Sequence, residues 1–209
     1  MKSTVTDKDL LRMVDDKVLP EKSLIGWRAA DGELFPTANT GELVVFEPFF
    51  YRGFLLPTSK FFRGLLHFYG IELVHLKSNS ILQIAAFIHL CEAFLGIEPH
   101  FALFRHLFSL RPLQKGGKTC VVGGAVLQLR YGRADKYLGL ALKTSLKGWH
   151  SRWFYTANPD PSLPAYVGRR SEQRSSWIST PSSVLKRLED SNISNELSGV
   201  GVVRNFIGR

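Results

Sequence analysis

Apolar residues recur at helical spacing through the first half of the chain and then switch to alternation. TDKD at 6–9 places a hydroxyl three positions before a carboxylate, followed by Leu10, Leu11, Val14 and Val18 on one helical face, with Pro20 beyond. That pattern predicts a helix opened by a capping box. Residues 24–39 hold Trp27, Asp31-Gly32 and Pro36-Thr37 and read as turns, while residues 43–46 (LVVF) read as a short buried strand. A second helix is predicted from about Pro57 to Ser59, carrying Phe61, Phe62, Leu65, Leu66 and Tyr69 and stopping at Gly70. The most hydrophobic helix follows over 81–95, capped from SNS at 78–80 and closed by Gly96. It is apolar on nearly every face, the mark of a central, buried element. Pro99 opens another helix with Phe101, Phe104, Leu107 and Phe108 inward and Arg105 and His106 outward.

After Pro112 the period shortens. TCVVGGAVLQLR at 119–130 alternates as a strand does, with Gly123-Gly124 marking a bend. Residues 131–136 read as a turn, 137–143 as a returning partner strand, and the aromatic run Trp149, Trp153, Phe154, Tyr155 as a further strand. Pro and Gly thicken over 158–170, and Val184, Leu185 and Leu188 space as one short helix in the tail. The expected fold is α+β: a helical subdomain over about 55–110 packed on a small antiparallel β-rich subdomain over about 119–156. Together they form a domain over 1–157, followed by an irregular basic tail over 158–209.

Charge sharpens this division. Residues 1–110 carry 11 Lys and Arg against 12 Asp and Glu, whereas residues 111–209 carry 16 against 6. A neutral front and a basic back suit a polyanion partner for the back half, or else a solubilising surface. Cys91 and Cys120 are too few for a disulfide framework and form no Cys-x-x-Cys pair, so a reducing compartment, nucleus or cytoplasm, is expected. The N-terminus lacks the apolar core of a signal peptide. The longest apolar run, 81–95, is broken by Gln83, His89 and Glu92 and falls short of the ~20 residues a membrane crossing needs, so no membrane partner is expected.

Candidate chemistry is sparse. Asp15-Asp16 would need a hairpin to present two carboxylates to metals, but the pair ends a predicted helix. Gly117-Lys118-Thr119 resembles the end of a phosphate loop, yet Pro112 stands where that loop needs glycine and a strand follows where it needs a helix. Ala30-Asp31-Gly32 is a turn without the hydroxyl residue of an aspartic protease. His89 and Glu92, three apart on a helix, make half a metal shell without a second pair. His100 and His106 have no carboxylate or cysteine cluster near them in the chain. Cys91 falls inside the apolar helix, where a thiol is inert. No catalytic residue, metal site or cofactor is expected, and the chain reads as non-enzymatic.

What remains is the basic back half, where cations alternate with aromatics. Arg130, Arg133, Lys136, Lys143, Lys147, Arg152 and Trp153, with the Arg169, Arg170 and Arg174 cluster, are candidate contacts to RNA or DNA: basic groups neutralise phosphates and exposed aromatics stack on bases. The other reading puts the aromatics in the core and leaves the cations as a solvated face.

Several blocks together resemble one known family: SLIGWR at 23–28, FPT at 35–37, VVFEPFF at 44–50, FRGLLHFYG at 62–70, LCEAFLGIEPHF at 90–101, KTSLKGW at 143–149 and WFY at 153–155. They are similar to the plant domain family called putative gypsy type transposon, over about residues 6–180. Residues 197–209 resemble a helical stretch that runs further in relatives, which implies a truncated copy. The resemblance implies origin in a transposable element but carries over no catalytic residues. The function expected from it is a non-enzymatic, gag-like or accessory role associated with nucleic acid, with self-association an option. A host-adopted fragment acting as a protein-interaction module, and a transposition enzyme with an unrecognised site, are the alternatives.

Overall fold

The computed structural model describes residues 1–115, 118–131 and 147–180. Helix α1 (Asp7–Asp15) begins where the sequence places it. The Thr6 hydroxyl accepts from the Asp9 N–H while the Asp9 carboxylate accepts from the Thr6 N–H, closing the capping box. Its buried face is Leu10 and Met13, and Leu11 is exposed, because Met13 rather than Leu11 lies three positions on from Leu10.

The main sheet has three antiparallel strands in the order β1 (Trp27–Arg28), β7 (Trp153–Ala157), β2 (Glu42–Phe46). Val44 stands opposite Tyr155 on one side of β7, and Trp27 opposite Thr156 on the other. The β7 residues Trp153, Phe154, Tyr155 and Thr156 are all buried, so this central strand reads as an unbroken apolar run rather than an alternating one. Its partners lie between α1 and the later helices in sequence, outside the 119–156 expected for the β-rich subdomain. A one-turn helix α2 (Glu47–Phe50) then leads out of β2.

Helix α3 (Lys60–Tyr69) is capped by the Ser59 hydroxyl and ends at Gly70, whose φ of +63° gives the left-handed C-terminal stop. Helix α4 (Ser78–His89) continues into a π-helical turn (Leu90–Phe94), closed by the Leu95 N–H donating to the Leu90 carbonyl and stopped at Gly96. One side of α4 is buried through Ile81, Ile84 and Phe87; Phe94, in the turn beyond, is exposed. Helix α5 (Phe101–Leu107) is shorter than its periodicity suggests. At Phe108 the chain becomes strand β3 (Phe108–Pro112), paired antiparallel with β6 (Ala125–Leu129), with Leu110 opposite Leu127. Phe108 is buried from a helix and from a strand alike, which is why the pattern alone extended the helix.

Two short strands, β4 (Gln114–Lys115) and β5 (Lys118–Thr119), extend this hairpin, and the chain turns at Gly123, φ +69°. The strand expected over 119–130 is therefore broken by a turn, and the paired partner of β6 is β3. The partner expected at 137–143 lies outside the described residues, as does the short helix expected at Val184, Leu185 and Leu188. The fold is α+β, with five α-helices and small antiparallel sheets among the described residues.

Residues 158–180 are irregular and form a strap laid against the helices. Leu163, Ser171 and Trp177 are buried, and the Trp177 indole donates to the Tyr69 carbonyl at 2.9 Å. No described helix is long and apolar enough to cross a membrane.

Candidate nucleic-acid interface and an apolar groove

Arg12, Arg28 and Arg152 form ion pairs among the described residues. Arg152 bridges Asp9 and Glu47, and Arg12 reaches the same two carboxylates. Burial alone would raise the Asp9 carboxyl, but the Thr6 backbone and hydroxyl donors and the Arg152 guanidinium outweigh it and hold it at about 2. Arg28 clasps Glu42 with two donors at 2.8 Å and lies 3.7 Å over the Tyr155 ring. That clasp, against the opposing cost of burial, holds the Glu42 carboxyl at about 2. Burial and the Glu33 carboxylate it donates to push the Tyr155 phenol up to about 12.

These contacts decide which cations are free. Arg130 donates to the carbonyls of Arg105, Phe108, Ile178 and Ser179, stapling the end of the strap to α5 and β3. Burial lowers its guanidinium's pKa. Arg152 is committed to Asp9 and Glu47, and Trp153 is buried with its indole donating to the Met1 carbonyl. These three residues have hydrogen bonds or ion pairs inside the molecule. Trp149, Phe154 and Tyr155 are also in the core, so this aromatic run offers no stacking platform.

Lys147, Arg169, Arg170 and Arg174 are exposed, and none is in a described ion pair with an acid. Arg133, Lys136 and Lys143 lie outside the described residues. The backbone around the strap arginines is pinned. His75 accepts the Glu72 N–H at Nδ1, so its proton sits on Nε2 and donates to the Arg169 carbonyl at 2.9 Å. Trp177 and the Arg105 and Arg130 contacts to Ser179 hold the other end. Arg169, Arg170 and Arg174 are thus exposed on an anchored segment, the Arg174 guanidinium beside Gly70.

The other chemical candidates resolve simply. Asp15 ends α1 and Asp16 caps it. Lys118 and Thr119 are strand residues, with no helix after them to hold a phosphate. Among the described residues no group of three or more His, Cys, Asp or Glu side chains could hold a metal ion. Burial pushes the Cys91 thiol up. His89 and Glu92 are both exposed, with His89 edge-on to Phe94.

His89 and Glu92 border a feature the sequence did not disclose, a groove of about 430 Å³ between the 53–59 loop and α4. Phe54, Leu55, Phe62, Ile81, Ile84, Ala85 and Ile88 line it, and Leu55 is 68% exposed. Ile81, Ile84, Ala85 and Ile88 fall at i, i+3, i+4 and i+7, a signal legible in the sequence. The same spacing describes a core-facing stripe, so only tertiary packing distinguishes a groove from a core.

Residues 44–112 match the family model described as "Putative gypsy type transposon". The match covers about a third of the chain, from within β2 to the end of β3, and contains every groove residue but not Lys147, Arg169, Arg170 or Arg174. No curated protein and no solved structure matches the chain.

Proposed function

We propose that this transposon-related chain is a non-catalytic accessory protein that binds the nucleic-acid backbone through the arginines of its strap. The observation that carries this reading is the anchored display of Arg169, Arg170 and Arg174, exposed and outside every described ion pair. Guanidinium groups on a pinned backbone lose little further freedom on meeting phosphate, and each phosphate neutralised releases a counterion. Nothing in this arrangement reads a base edge, so binding is independent of sequence.

Four contacts, counting Lys147, give a log–log salt slope of about −3 to −4. Replacing Arg169, Arg170 and Arg174 together with Gln weakens binding to every oligonucleotide tested and brings the slope to about −1, with the thermal melt unchanged. Fluorescence anisotropy across a salt series checks this. Binding that is insensitive to salt, or that survives the triple change, defeats the reading. Metal-supplemented assays for nuclease, strand-transfer and polymerase activity should show none; cleavage abolished by a carboxylate substitution would overturn the non-catalytic part.

A further inference from the structure

Tyr131 is fully exposed, and no other described aromatic of residues 111–180 is. The backbone leading to it is fixed. Leu129 ends β6, and the Arg130 N–H donates to the Leu107 carbonyl at 2.8 Å. The Arg130 guanidinium donates to the Ile178 and Ser179 carbonyls at 2.9 Å, which joins this end of the hairpin to the end of the strap. The strap is wound into one turn here, the Ser179 N–H donating to the Ser175 carbonyl at 3.1 Å. Arg174 therefore stands about one helical turn before the carbonyls that Arg130 holds. Exposed Arg111, on β3, lies close enough to repel the Arg130 charge. A ring in the open thus stands where hairpin and strap meet, among cations.

Cations alone meet phosphate; an exposed ring among them adds a surface for a base. Every base has an aromatic face, so stacking tolerates any sequence, but in a duplex both faces are already covered by neighbouring pairs. We propose that Tyr131 is a stacking platform for an unpaired base, which makes single-stranded nucleic acid the ligand of this basic surface. The proposal rests on the phosphate contacts of the strap arginines and specifies the kind of strand they hold. Ile178, 45% exposed, adds apolar surface beside the carbonyl that Arg130 binds. Charge by itself favours the opposite ligand, because a duplex carries one phosphate per about 1.7 Å of axis, more densely than a single strand. A preference for the single strand is therefore a signature of the ring.

Fluorescence anisotropy with the full chain should compare three probes of about 12 nucleotides, a span suited to such sites: a thymidine strand, the same strand without bases, and a duplex. The thymidine strand should bind at least about fivefold more tightly than either of the others. Tyr131→Ala should erase that preference and leave abasic-strand and duplex binding, the salt slope and the thermal melt as in the parent. Tyr131→Phe keeps the ring and should keep the preference. Equal, salt-dependent binding of all three probes overturns the inference and leaves the arginine reading standing, as does a preference that survives Tyr131→Ala or is lost in Tyr131→Phe. A chain that binds none of the probes overturns both.

Discussion

Glu42 and Asp9 show how single residues tie this fold to pH. Glu42 drops from its ordinary 4.5 to about 2, and Asp9 from 3.8 to about 2. Both carboxyls titrate lower folded than unfolded, so their stabilisation is complete above about pH 4.5 and drains away as pH falls towards 2. Urea unfolding at pH 7 and at pH 3 should therefore show a marked loss, and Glu42→Gln should reduce both the pH 7 stability and its decline. Arg152 separates structural cations from free ones. Arg152→Ala leaves Asp9 and the buried Glu47 with less compensation and should cost about 2–3 kcal/mol, whereas exposed Lys147→Ala should stay within about 0.5 kcal/mol. Equal effects in chemical denaturation would contradict that division.

At the scale of elements, the strap and the end of α3 depend on each other. Trp177 is fully buried and bonded to the Tyr69 carbonyl, so Trp177→Ala should cost about 3–5 kcal/mol. The same variant should speed hydrogen exchange across 163–179, since it frees one end of the strap. Gly70 sits at φ +63°, where a Cβ would lie 2.3 Å from the Arg174 guanidinium. The guanidinium is the far end of a flexible side chain and can move, but the left-handed strain stays. Gly70→Ala should cost about 1–2 kcal/mol, and Arg174→Ala should relieve only a small part of it.

Across the whole molecule, the charge asymmetry of the sequence becomes a sorting of cations. Arg130 and Arg152 turn inward to carbonyls and carboxylates, while Arg169 and Arg170 are exposed on a pinned backbone and Arg174 is exposed with its guanidinium beside Gly70. Arg130→Gln should accordingly lower the melting temperature by loosening the strap, while Arg169→Gln lowers oligonucleotide affinity and leaves the melt unchanged. The two readouts, measured side by side, test whether stability and binding reside in different members of one basic half.

Local chemistry is where the sequence spoke for itself. The Thr6 box, the Ser59 cap, the Gly70 and Gly96 stops and the β2 strand follow from short-range hydrogen bonding and sterics, so their residues name them directly. Tertiary structure decided what depends on distant partners. It placed β7 between strands from residues 27–46, turned Phe108 from a helix end into a strand start, and drew 158–180 onto the core. It also separated buried Trp153 from exposed Phe35, and bound arginines from free ones. An aromatic or a guanidinium looks the same in sequence wherever it lands. Burial and pairing belong to the neighbours that long-range packing brings to it.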